Sequence, residues 1–334
     1  MATRAIPIVP LSLVLEGQEA DMFVLLAAKS EGTTRDGKPY WRVTFRDAGR
    51  EVSFPVWNDT AFSEACKNEW KIGACYKVRA VLTETKFGPQ LDIRKIRPVT
   101  PEDKSEGFDE WSFLPRSKFD PAAMLAELVA LAEREIAEPA LRDLAAGLLN
   151  EHKQTLLTLP AARRNHHAFV GGFLEHVLSV TRNAVFLAEK YSRDYPELNP
   201  PLSRDLVIAG AILHDIGKVE ELKATPAGAE YTAAGELIGH VLLGRDMVRA
   251  AAQQQNLAPE TLLRLEHIIV SHQRLPEWGA PKPPMTPEAL LVHFADDVDA
   301  KFQTALAALA EAGDEQFTTS RNPLGYRIFR GLRE

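Results

Sequence analysis

Ala211-Ile-Leu-His-Asp-Ile-Gly-Lys218 decides how the larger part of this chain is read. It closes the apolar run from Leu206 to Leu213, which is too short to span a membrane and of a length for a core helix. Adjacent His214 and Asp215 follow at its end, and Gly217 can break the helix. Neighbours inside a helix stand about 100° apart around its axis, but at a helix end both side chains can turn toward one ion. An Asp carboxylate can also bridge two metals, and Lys218 can meet a phosphate. The plainer alternative is a polar helix terminus.

Working outward from this octapeptide, a second domain is expected over residues 119–320, with a helical pattern from Pro121 to about residue 312. Asp120-Pro121 combines an N-cap with a proline at the first helical position, and Thr286-Pro287-Glu288 repeats that start. Helices are expected over residues 121–137, 139–151, 168–193, 203–215, 234–256, 259–272 and 287–312. Residues 273–287, QRLPEWGAPKPPMTP, form a proline-rich loop that cannot be helical. All nine histidines, at 152, 166, 167, 176, 214, 240, 267, 272 and 293, fall in this helical part. A lone buried histidine is usually a satisfied core residue. Imidazoles clustered with carboxylates on several helices can instead surround a metal.

Residues 1–98 read as strands. Tyr40–Asp47, YWRVTFRD, alternates at period two, with Trp41, Val43 and Phe45 on one face and Tyr40, Arg42, Thr44 and Arg46 on the other. The next segment, EVSFPVW, sets Val52, Phe54 and Val56 against an outward Trp57. Arg35-Asp36-Gly37-Lys38 is a hairpin turn, and Tyr76–Leu82 and residues 90–97 supply two more strands. Five short strands with turn signals suggest a small barrel. Residues 99–118, with Pro101, Pro115 and a charged run, are expected to be a linker, and residues 321–334 a tail. The fold class expected is multidomain α+β, a five-stranded barrel followed by an all-α domain.

The net charge of −7 hides an asymmetry. Residues 18–98 carry 14 Lys/Arg against 11 Asp/Glu, leaving the remainder acidic. A mildly basic module on an acidic body fits a nucleic-acid holder beside a metal-collecting unit. Cys66 and Cys75 make no C-x-x-C pair, so reduced thiols and a cytoplasmic protein are expected. The apolar N-terminus is broken by Pro7 and Pro10 and lacks a small-residue cleavage site, so a strand rather than a signal peptide is expected there.

The order His176, His214-Asp215, Asp296 resembles the H…HD…D signature of the HD superfamily of metal-dependent phosphohydrolases. Arg164-Asn-His-His167, Glu175-His176-Val177, His214-Asp-Ile-Gly-Lys218, Gly239-His240, Ser271-His272, Glu277-Trp-Gly279 and Ala295-Asp-Asp-Val-Asp-Ala300 extend the likeness to the YhaM-type 3′-5′ exoribonucleases. That family joins an N-terminal OB domain to a C-terminal HD domain, and the strand segment Asp36–Asp47 with Val52–Trp57 resembles a nucleic-acid-binding OB-fold. The resemblance implies a first metal on His176, His214, Asp215 and Asp296. It implies a second on His240 and His272, with Asp215 between, and it names manganese, cobalt, iron or magnesium. Of these, manganese is the leading expectation. Where many HD phosphodiesterases have another histidine after the counterpart of His272, this chain has Gln273, a poorer ligand. His267 is expected to be a supporting or structural residue. His293 either orients Asp296 or only packs.

The catalytic candidates are therefore His214, Asp215 and Lys218. Arg164, Asn165, His166 and His167 are expected to begin the helix that bears His176, where a helix N-terminus can contact phosphate. The bland alternative is an Asn165 cap with exposed histidines. Trp278 can stack a terminal base or merely pack its loop. Tyr40, Arg42, Arg46 and Trp57 are the candidates for strand contact, since OB-folds stack bases on aromatics beside basic groups. The leading function is a 3′-5′ exonuclease on single-stranded RNA, with single-stranded DNA as a further partner. The alternatives are a nucleotide or cyclic-dinucleotide phosphohydrolase and a nucleic-acid-binding regulator with a residual metal site. A homo-oligomer is compatible with the sequence; a membrane partner is not expected.

Overall fold

The structure is a computed structural model and describes residues 6–163, 167–311, 313 and 315–332. Contacts divide the chain into two compact units: Met1–Pro115 with Thr225–Gly228, and Arg116–Ala224 with Ala229–Glu334.

In the first unit, β1 (Glu19–Thr33), β2 (Pro39–Arg46) and β3 (Glu51–Trp57) form an antiparallel meander. A short helix, α1 (Ser63–Asn68), leads to the β4 (Cys75–Thr85) and β5 (Gly88–Pro98) hairpin. The sheet order is β3-β2-β1-β4-β5, and β3 and β5 also lie against each other, which closes the barrel. This is the OB arrangement. Its pivot is β1, whose first half pairs with β4 and whose second half pairs with β2. The register slips between Leu26 and Ala28, where a bulge lets one strand serve both sides of a barrel. The expected alternation holds in β3 and in part in β2: Val43, Phe45, Val52, Phe54 and Val56 are buried around Trp70 and Tyr76, but Trp41 is half-buried and Thr44, expected outward, is buried.

The segment 99–118, expected to be a linker, carries local structure. Residues 101–106 and 110–113 form 3₁₀ turns. Asp103 is buried and accepts two hydrogen bonds from Arg97, at 2.6 and 2.7 Å. These bonds hold its carboxyl well below the usual carboxylate range, so the segment through Pro115 is part of the first unit.

The second unit is helical: α2 (Pro121–Glu135), α3 (Pro139–Glu151), α4 (Lys153–Leu156), α5 (Gly172–Asp194), α6 (Arg204–Leu213), α7 (Lys218–Glu221), α8 (Ala233–Leu237), α9 (His240–Gln255), α10 (Pro259–Ser271) and α11 (Pro287–Glu311). Every residue of α6 from Leu206 to Leu213 is buried, as an all-apolar helix requires, and α5, α10 and α11 pack around it. Gly210 permits the close approach, since a Cβ there would lie 2.7 Å from Ile268 Cγ2. Asp120 caps α2 through the Ala122 amide, as its sequence predicts. Three expectations change. The helix expected over 234–256 is broken at Gly239. A two-stranded hairpin, β6 (Leu222–Thr225) and β7 (Gly228–Tyr231), interrupts the helical pattern. The expected tail folds back, with the Thr318 amide donating to Ile328 O. Among the described residues, no helix is long and apolar enough to cross a membrane.

Candidate functional site

The end of α6 delivers His214 and Asp215 into a buried polar centre. The chain turns immediately after Leu213, and the Lys218 amide donates to Asp215 O at 2.9 Å. Gly217 has ordinary helical φ of −62°, so it does not break the helix by conformation. Its role is contact: a Cβ there would lie 2.0 Å from His240 O and 2.4 Å from the Gly244 amide nitrogen. Lacking one, it lets the start of α9 reach the same centre.

Two nests share Asp215. Oδ2 faces His176 Nε2 and His214 Nε2, each at 3.5 Å. Asp296 Oδ1, from α11, stands 3.3 Å from His176 Nε2 and 4.0 Å from His214 Nε2. Oδ1 of Asp215 faces His240 Nε2 at 3.4 Å and His272 Nε2 at 3.5 Å. Donors bound to one transition ion at roughly 2.1 Å stand about 3.0–3.4 Å apart, so both nests have nearly the spacing a metal requires. Asp215 Oδ1 and His272 Nε2 are buried and have no hydrogen-bond partner. Such orphaned atoms are costly unless a ligand satisfies them. The residues fit a metal.

The outer contacts fix which nitrogen each ring offers. His214 and His272 donate from Nδ1 to Ala211 O and Ile269 O, at 2.8 and 2.7 Å. His176 donates from Nδ1 to Asp299 Oδ2 at 2.7 Å, and His240 to Glu221 Oε1 at 2.9 Å. Carbonyl and carboxylate oxygens only accept, so in all four rings Nδ1 carries a proton and Nε2 is the atom turned to the centre, with a lone pair to offer when the ring is neutral. Burial pushes the His214 pKa down to about 4, which keeps it neutral. Burial opposes ionisation of Asp215 and Asp296, but Lys218 and the imidazoles outweigh it at Asp215, and the imidazoles alone at Asp296, so both lie well below the usual range. Burial likewise lowers His176 and His272, yet their carboxylate contacts raise them overall. A proton and a metal ion compete there for the same Nε2 atoms.

The remaining candidates fall differently. His167 does not begin a helix. It lies in a turn with φ of 52°, is buried, and donates from Nε2 to Asp299 Oδ2 at 3.0 Å. The helix starts at Gly172, after left-handed Gly171. Arg164, Asn165 and His166 lie outside the described residues. Lys218, expected to meet a phosphate, is buried and donates to Asp215 Oδ2 at 2.6 Å. Gln273 points its amide at the second nest, with Nε2 3.1 Å from His240 Nε2. His267 accepts from the Met285 amide and anchors the proline-rich loop. His293 donates to His272 O at 2.7 Å, holding the backbone of that candidate ligand. Trp278 is exposed on its loop. Sequence reasoning missed Asp299 and Glu221. Asp299 follows Asp296 by three on one helix, a spacing that puts both on one side; nothing in the sequence marked Glu221.

On the barrel, Tyr40 and Trp57 face each other across β2 and β3 with ring centroids 5.2 Å apart. Gly32 of β1 lets the Tyr40 ring lie down, since a Cβ there would come within 2.5 Å of it. Arg42 is exposed and Arg46 half-buried on the same strand. A second groove, with about 510 Å³ of space, is lined by Lys77, Arg79, Arg94, Lys95 and Arg97. The sequence reading did not single these out, and Arg79 and Arg97 are paired with Asp21 and Asp103.

Comparison with known proteins follows the same lines. Residues 173–301 match the HD domain family. The chain is 32% identical to a 3′-5′ exoribonuclease YhaM from Oceanobacillus iheyensis over 313 residues, covering 94% of each protein. A solution structure of the second OB-fold domain of replication protein A from Methanococcus maripaludis aligns with 28% of this chain and 94% of that domain, at 15% identity and a TM-score of 0.22.

Proposed function

The chain belongs to the YhaM family of exoribonucleases, with an HD domain, and from that premise we propose that it is a metal-dependent 3′-5′ exonuclease that shortens single-stranded RNA in the cytoplasm and releases nucleoside 5′-monophosphates. The observation that carries this reading is the convergence of four imidazole Nε2 atoms on the two oxygens of one buried aspartate.

His176, His214, Asp215 and Asp296 would hold one divalent ion, and Asp215, His240 and His272 a second. Such ions supply Lewis acidity and a bound water of lowered pKa. Mixed imidazole and carboxylate donors suit manganese, cobalt or iron better than magnesium, and manganese is our first assignment. The chain's own groups prepare the site. Asp299 and Glu221 keep two imidazoles in the ligating tautomer, and Lys218 offsets the Asp215 charge. Attack of water on the terminal phosphorus breaks its bond to the O3′ of the preceding nucleotide, and that oxygen leaves as a hydroxyl. Trp278 is assigned to the terminal base. Tyr40, Trp57, Arg42 and Arg46 are assigned to the strand, because exposed aromatics beside cations accept any base.

The test is a screen of manganese, cobalt, iron and magnesium against end-labelled RNA and DNA oligonucleotides. A transition ion should support release of 5′-monophosphates from RNA. Asp215→Ala should lose both bound metal, by elemental analysis, and activity, while keeping its helical circular dichroism. Hydrolysis confined to mononucleotides or cyclic dinucleotides, with strands untouched, would defeat the proposal. So would unchanged metal content in the variant.

A further inference from the structure

Helix α11 is apolar on its outer face as well as its inner one, unlike an ordinary surface helix, which turns charged residues to water and apolar ones to the core. Its buried side carries the core residues Ala289, Val292 and Ala295 together with the polar Glu288, His293 and Thr304, and the candidate site residue Asp296 projects inward with them. Its outward side carries Leu290, Phe294, Val298, Phe302 and Leu306, exposed by 43, 48, 59, 65 and 46%. Between Leu290 and Ala310 the one exposed charged residue is Lys301, and its ammonium is held by Asp297 at 2.7 Å.

The five apolar residues recur at every fourth position and so form a single ridge, inclined about 26° to the helix axis. The ridge reads Leu-Phe-Val-Phe-Leu, identical in both directions and centred on Val298. Self-complementarity of this kind is what an isologous two-fold contact requires, because each copy offers the other the same patch.

We propose that the outer face of α11 is a self-association surface, on which a second copy of this chain packs antiparallel about a two-fold axis at Val298. Ridges of this class interlock at a crossing of about 50°. Phe294 of one copy lies beside Phe302 of the other, Val298 meets Val298, and Leu290 and Leu306 close the margins. Taking roughly 150–250 Å² for a fully covered aromatic residue, the ridge exposes on the order of 400–500 Å² per copy. Two copies then cover nearly 1,000 Å², the lower end of a specific interface. A patch of about this size is already as large as a typical monomer's largest. Asp296 lies on the opposite side of the same helix, so pairing also braces the element that carries a metal ligand.

Sedimentation of the full chain at micromolar concentration is expected to give twice the 37.0 kDa mass. Val298→Glu should sediment as a single chain with unchanged helical circular dichroism. Val298→Cys should form a disulfide-linked dimer under mild oxidation, because a residue on the axis meets itself; Leu290→Cys alone should not. If Val298→Glu fails to fold, the apolar Val298→Cys variant decides the matter. A wild type that sediments as one chain, a dimer that survives Val298→Glu, or no cross-link through Val298→Cys overturns the proposal. Binding of a monomeric chain to anionic vesicles through this ridge would also overturn it, making the ridge a membrane face.

Discussion

At the scale of single residues, the site is organised by carboxylates that accept more than one imidazole. Asp215 spreads its two oxygens over two nests. Asp299 gathers the Nε2–H of His167 and the Nδ1–H of His176 on one oxygen. Asp299 touches no reacting atom in this arrangement; it sets the tautomer and angle of a ligand. Groups of this kind typically contribute 10–100-fold to metal affinity. Asp299→Asn keeps one acceptor oxygen but replaces the anion, and we expect it to weaken metal binding by about that factor with the fold intact. A chelator-competition titration beside circular dichroism checks this. An unchanged dissociation constant would make Asp299 a packing residue only. The candidate ligands were legible in the sequence because they are chemically distinctive: His214-Asp215, His240 and His272 stand at helix ends, while His176 and Asp296 project from within α5 and α11. Their supports were less so. Glu221 resembles any other glutamate until the chain folds, and His167 resembled a solvent-facing phosphate contact until the turn before α5 buried it.

At the scale of elements, glycine contacts bring the ligands together as much as helix periodicity does. The α6–α7 turn and the start of α9 touch through Gly217 and Gly244, backbone against backbone. Gly217→Ala inserts a methyl group 2.0 Å from His240 O, so the start of α9 must retreat. Overpacking of this kind costs about 1–3 kcal/mol or more, and here the retreat falls on His240 rather than on His176 or His214. The expected result is a lower melting temperature with metal stoichiometry falling toward one ion per chain. Unchanged stoichiometry and stability together would show that Gly217 is not the close-contact point. The element pattern was mostly readable: alternation marked β2 and β3, and proline-led caps marked α2 and α11. The break at Gly239 and the β6–β7 hairpin were not. A glycine inside an otherwise helical pattern does not announce whether it kinks, packs or stops a helix. The hairpin is only four residues a side, too short for periodicity to declare itself.

At the scale of the molecule, charge and chemistry are divided between the units. The barrel sequence over 18–98 has an excess of Lys/Arg, and the rest of the chain an excess of Asp/Glu. The basic unit presents Tyr40, Arg42 and Trp57 on its surface, while the acidic one contains the buried ligand nests. The proposed separation of strand holding from cleavage predicts how activity fails. Tyr40→Ala with Trp57→Ala should leave cleavage of a small generic phosphodiester unchanged and weaken single-strand binding, since each base–aromatic stack contributes about 1–3 kcal/mol. The same division predicts the form of the product. As the end-directed nuclease proposed, the protein would take a strand terminus to its buried nest, whereas a duplex would be too wide and a continuous strand would have no terminal linkage to present. With the proposed 3′-5′ polarity, a 5′-labelled single-stranded RNA should give a descending ladder. A stable hairpin should halt the ladder near its base. A circular single strand of the same sequence should persist under conditions that consume the linear form. Rapid linearisation of the circle would identify an endonuclease and refute the end-directed reading, even with every metal ligand correctly assigned.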